Sequence, residues 1–127
     1  MSALYNRAVY WPDHVADAVQ ELVGSFETHE CQYSQHARDE AENDRYGRIC
    51  LPPRIQITHK DVFEVQIIRH QIHKFLIRVP FDKTRDLIFV LLNRAPGKLF
   101  CKTVWINKRS DTHRTLRREN YVQKKSA

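Results

Sequence analysis

The run LIFVLL at residues 87–92 constrains this chain more than any other stretch. It is uninterrupted by a polar residue and has the length of a strand, not of a helix. A strand with no polar side has to be covered on both faces, so it belongs in the middle of a sheet. The segments around it fit that placement. RIQI (54–57), VFEVQIIR (62–69), IHKFLIRV (72–79) and LFCKTVWIN (99–107) are rich in β-branched and aromatic residues. Their connections, THKD (58–61), FDKTRD (81–86) and NRAPGK (93–98), are made of turn formers, and Pro80 ends the strand before it.

Upstream of Pro52-Pro53 the period lengthens. In DHVADAVQELV (13–23), Val15, Ala18, Val19 and Leu22 recur at helical spacing, with Asp13 as N-cap and Gly24 as stop. A second helix is expected over 34–46, SQHARDEAENDRY, with Ser34 as N-cap and Gly47 at its end. The predicted architecture is therefore α+β in one domain of 127 residues. Two N-terminal helices pack on an antiparallel sheet of about four or five strands, and residues 108–127 form a basic tail.

Charge is unevenly spread. Residues 1–50 carry net −5, residues 51–101 net +5 and residues 102–127 net +6. A basic C-terminal half can attract phosphate backbones, nucleic acid above all; the plainer reading is a solvated basic face beside an acidic helical region. No window approaches the roughly 18 apolar residues of a membrane span, and MSALYNRAVYWPDH lacks a signal-peptide core. Cys31, Cys50 and Cys101 are odd in number and form no CxxC, which points to reduced thiols and a cytoplasmic setting.

Alternation along 72–79 puts His73, Phe75, Ile77 and Val79 on a core face. Ile72, Lys74, Leu76 and Arg78 fall on the other. Lys74 and Arg78 could hold successive phosphates or stabilise a phosphorane, or be ordinary charge on a wet face. In the last strand Thr103, Trp105 and Asn107 share a side. Trp105 either stacks a base there or is covered by a helix. In the loop that follows, Asp111 could orient the imidazole of His113 for proton transfer, or serve as a turn former beside an exposed His. His36, in the first turn of the second helix, is a further proton-transfer candidate. Arg69, Arg114 and Arg117 join Trp105 and Asn107 as candidate nucleic-acid contacts. Absent HExxH, CxxC, clustered carboxylates and glycine-rich phosphate loops, no metal or cofactor is expected.

One set of residues resembles a family of small proteins of tailed bacteriophages. It runs Ser34-x-His36-Ala37, Asp44-Arg-Tyr-Gly-Arg-Ile49, Lys74-x-x-x-Arg78-Val-Pro, Asp86-Leu-Ile-Phe-Val90, and Thr103-Val-Trp-Ile-Asn107 with Asp111-x-His113-x-Thr115-Leu116 and Tyr121. The resemblance covers roughly residues 30–121 and implies action in the cytoplasm of an infected bacterium, with residues 1–29 a phage-specific extension. The predicted element order is also similar to RelE-like toxins of the barnase, EndoU, colicin and RelE group. That likeness implies metal-independent RNA cleavage, with Lys74, Arg78, His113 and His36 supplying the base, the acid and the cations. The alternative is a non-catalytic effector that binds a host protein or nucleic acid. Its contacts would come from the acidic helix and from Tyr5, Tyr10 and Trp11. A structural virion role fits a compact chain less well.

Overall fold

A computed structural model of the chain describes residues 7–10, 16–24, 28–68 and 71–110. The elements run β1 (Arg7–Tyr10), α1 (Ala16–Gly24), β2 (His29–Tyr33), α2 (Gln35–Asn43), β3 (Arg54–Ile55), a 3-10 turn (His59–Asp61), β4 (Val62–Ile68), β5 (Gln71–Pro80), β6 (Arg85–Ala95) and β7 (Lys98–Lys108). The strands form one seven-stranded sheet in the order β1-β4-β5-β6-β7-β2-β3. All neighbouring pairs are antiparallel except β2 and β7, which run parallel.

This corrects the expected architecture. The molecule is a mostly β, mixed sheet with two helices of nine residues each, not a helical pair laid on a four- or five-stranded antiparallel sheet. One strand precedes the first helix and another separates the two, so the RelE-like element order does not hold. The reason is chemical. HECQY (29–33) alternates buried His29, Cys31 and Tyr33 with exposed Glu30 and Gln32. Its inward residues are not aliphatic, so a hydropathy reading passes over a strand. Arg7–Tyr10 pairs with β4, and Val19 of α1 is fully buried, so part of the segment expected as an extension belongs to the sheet.

LIFVLL lies within β6, the central strand, flanked by β5 and β7. On one face Phe75 and Ile77 of β5 meet Leu91 and Phe89 of β6, which meet Cys101 and Val104 of β7. Val19 of α1 and Ala37 and Ala41 of α2 join this cluster, so both helices pack there. The opposite face also carries buried residues, Leu76 and Ile88 with the polar Glu64, Gln66, Asp86 and Asn107, among half-buried ones. Strict alternation fails at several register shifts, in the pairing of β4 with β5 and of β6 with β7, and one of them bears on the expected faces. Gln66 pairs with Lys74 and Ile67 with Ile72, which leaves His73 unmatched as a bulge. The phase change moves Ile72 into the helix-side cluster and His73 out to solvent, against the expected pattern.

Helix α2 is placed by the strand it follows. Ser34 caps it by accepting the Ala37 amide at 3.0 Å, as its sequence position predicts. The same residue donates from its own amide to the Cys101 carbonyl and from its hydroxyl to the Lys102 carbonyl. Since β2 pairs with β7 only as far as Cys101, the remaining edge of β7 would be open. The carboxylates of α2 close it. Glu40 accepts the Thr103 hydroxyl at 2.7 Å and the Val104 amide at 3.2 Å. The residue that ends the helix, Asp44, accepts the Ile106 amide at 3.1 Å.

Candidate nucleic-acid interface

Lys74 and Arg78 do share the face away from the helices. Arg78 lies opposite Ile88, which lies opposite Trp105, while Asp86 and Asn107 form the adjacent row. Four of the sequence candidates are thus brought onto one face, but that face is not open. Glu64, Gln66, Lys74, Trp105 and Asn107 all make polar or ring contacts within the fold. Trp105 is half-buried, in register with Ile88 of β6. His36 is not with them. It sits on α2, 71% exposed, with Nε2 3.4 Å from Glu40. Arg69, Asp111, His113, Arg114 and Arg117 lie outside the described residues, as do Tyr5 and Trp11.

Arg78 is tied into the fold. Its Nε lies 2.6 Å from Asp86 Oδ2 and its Nη2 donates to the Lys108 carbonyl at 3.0 Å. Only Nη1 is without a partner among the described residues, and it is buried. Asp86 in turn receives Arg109, whose Nε and Nη2 approach Oδ1 at 2.9 and 2.8 Å. Burial pushes the Asp86 carboxyl upward, but the hydrogen bonds and charges of Arg109 and Arg78 outweigh it and hold the group below its ordinary value. A guanidinium committed in this way is a strut for three strands, with little left for a phosphate.

Exposed cations are spread over the described surface, Lys60, Arg94, Lys98 and Lys102 among them, but one group lies at the end of the sheet where β5 turns into β6 and β7 finishes. The turn Phe81-Asp82-Lys83-Thr84 is tightly held there. Phe81 and Asp82 donate their amides to the Arg85 carbonyl, and Asp82 Oδ1 accepts the amides of Thr84 and Arg85. From the β7 side, Arg109 donates to the carbonyls of Lys83, Asp82 and Arg85, and its own amide bonds the Thr84 carbonyl. The Thr84 amide holds the Asp82 carboxyl below its usual range, aided by the Arg85 amide and guanidinium.

Lys108 lies directly opposite Arg85 on adjacent strands, a like-charge pairing that costs stability unless countered. Asp82 counters Arg85 at 2.8 Å; Lys108 has no carboxylate among the described residues. On the helix side, Arg45 and Arg85 both lie over the ring of Tyr46, at 4.7 and 5.2 Å from its centroid. Arg45 and Tyr46 therefore stand beside Arg85 at the start of β6. Gly47 has φ +132, a backbone that favours glycine.

Among the described residues, each carboxylate at this end is engaged by the fold: Asp82 by its turn and Arg85, Asp86 by two arginines, Asp44 by the Ile106 and Tyr46 amides. Arg45, Lys83 and Lys108 are exposed and form no ion pair among the described residues. The opposite end is less bare, because Glu30 stands in register with both Arg54 and Lys98. Sequence reasoning passed over Arg45, Lys83, Arg85 and Lys108. FDKTR signals a turn, but which distant residues gather around it depends on the pairing of β6 with β7 and on the path of α2.

Other features offer less chemistry. Burial raises the Cys31 thiol and pushes that of Cys101 up to about 12, so neither is a ready nucleophile. Among the described residues no group of His, Cys, Asp and Glu could hold a metal ion, and no helix is long and apolar enough to cross a membrane. A groove of about 510 Å³ runs between α2 and residues 48–51. Ala41, Ile49 and Leu51 line it beside Arg38 and the Arg48–Glu42 ion pair. Comparison with protein-family models, curated proteins and solved structures found no match to this chain.

Proposed function

We propose that the chain binds nucleic acid, with RNA as its ligand, through the basic end of the sheet formed by Arg45, Lys83, Arg85 and Lys108. The phage resemblance implies a place of action in the cytoplasm of an infected bacterium. One observation carries the reading: among the described residues, Asp82, Asp86 and Asp44 at that end are engaged by hydrogen bonds within the fold, while Arg45, Lys83 and Lys108 are exposed and form no ion pair. Uncompensated cations on a rigid rim are what phosphate binding by counterion release needs.

The test is fluorescence anisotropy of a labelled single-stranded RNA across a salt series. Affinity is expected to fall steeply with salt, by a slope of about 0.7 per phosphate contact. The double variant Lys83→Ala/Lys108→Ala should weaken binding and flatten the slope by roughly 1.4. Absence of binding at low salt, or an unchanged slope in the variant, would remove the proposal.

Metal-independent cleavage of the bound RNA is a second reading, favoured by chain order. β7 ends at this rim, Ser110 is the last described residue, and Asp111 and His113 follow directly in sequence. His113 would act as acid or base with Asp111 orienting it. Incubation with RNA in EDTA should then give cleavage that His113→Ala abolishes. His113 is the informative position, because Arg78→Ala would also cut the ion pair to Asp86. Binding without cleavage would leave a non-catalytic effector.

A further inference from the structure

The β5–β6 turn carries an aromatic ring as well as cations. Phe81 is 40% exposed and stands out among the described residues as an exposed large apolar side chain. It is not at a loose tip. The Phe81 amide bonds the Arg85 carbonyl at 2.9 Å, and the next residue, Asp82, locks the turn through two backbone amides and the Arg85 guanidinium. Arg109 fastens the other side through three carbonyls while anchored on Asp86. A ring on a turn held this firmly loses little conformational freedom on meeting a ligand. Lys83 lies two residues away in the same turn, and Lys108 stands on β7 directly opposite Arg85, whose carbonyl accepts the Phe81 amide.

We infer that this turn recognises unpaired bases, so that the ligand of the basic end is single-stranded nucleic acid, with one base stacked on Phe81 and its flanking phosphates held by Lys83 and Lys108. The inference rests on the proposed nucleic-acid binding and narrows its ligand. The geometry selects against duplexes because a paired base keeps both faces inside the helical stack, where a protruding ring cannot reach them. It needs no fixed sequence, since every base offers a π-face. Arg109 is a positioning residue here: it touches the turn's backbone and holds the ring in place.

The test compares the full-length protein on an oligouridine strand and on an RNA duplex of equal length at one salt concentration. The wild type should prefer the single strand by about tenfold or more. Phe81→Ala should collapse that preference towards one, whereas Phe81→Trp should keep it. The tryptophan added by Phe81→Trp should also be quenched by the single strand, read as the difference from the wild-type signal. Equal affinity for strand and duplex in the wild type, or an unchanged preference in Phe81→Ala, or no quenching in Phe81→Trp, would overturn the stacking inference while phosphate binding stood. Failure of the wild type to bind either probe would overturn both.

Discussion

Asp86 holds together three strands, because its two oxygens take guanidinium groups from β5 and from the end of β7 while it belongs to β6. Its side chain is 8% exposed and that of Arg78 is 14% exposed, so removing either partner leaves a charge buried alone. Asp86→Asn is expected to cost about 3–5 kcal/mol in a denaturant titration, and to raise the mobility of the β5–β6 turn through Arg109. The pH dependence follows from the direction of the shift. A carboxyl lowered in the folded state contributes stability above its ordinary value of 3.8, and that contribution is lost as pH falls through the folded value. Wild-type stability should therefore decline in acid below about pH 4, and Asp86→Asn should show a shallower decline over the same range. An unchanged acid limb in the variant would mean that other carboxylates carry it.

At the scale of elements, α2 does work that no other described part of the chain does: it closes the edge of β7 that β2 leaves open. Glu40 takes the Thr103 hydroxyl and the Val104 amide, and Asp44 takes the Ile106 amide, so side chains stand where another strand's carbonyls would be. Glu40→Ala should cost about 1–3 kcal/mol, since a strand amide and a hydroxyl lose their acceptor. It should also speed hydrogen exchange at Val104 while leaving Phe89 protected. An exposed strand edge invites pairing with a second copy, so the variant should associate with rising concentration in sedimentation experiments. Ser34 was legible as the helix N-cap from its position before QHAR; the role of Glu40 was not, because an acidic helix face gives no sign of which distant backbone it will meet.

Taken whole, the sheet joins distant parts of the chain. Glu30 pairs with Lys98 in parallel, whereas β4 to β7 follow one another as antiparallel neighbours. The consecutive strands need only short loops to close, while the β2–β7 pairing must close nearly the length of the described sheet. Docking of β2 is therefore expected after the β5–β6–β7 meander has formed. Phe89→Leu should slow folding, and Cys31→Ala, at a similar loss of about 1 kcal/mol, should chiefly speed unfolding. Stopped-flow rates for the two variants decide this; a larger folding-rate effect for Cys31→Ala would reverse the order.

By itself the sequence determined the local facts. LIFVLL was legible as the central strand, the bounds of β4 to β7 lie within a few residues of the expected segments, and Ser34 starts and Gly24 ends a helix where their chemistry predicts. These follow from interactions within a few residues, which a linear string contains. Tertiary structure decided what those elements join. It set HECQY as a strand between β7 and β3, tied Arg78 to Asp86, phased the sheet around the His73 bulge, and gathered Arg45, Lys83 and Lys108 at one rim. Each depends on residues tens of positions apart meeting across a hydrogen-bonded register, and register is a property of the folded sheet, where the loss of one residue's phase moves a side chain to the other face.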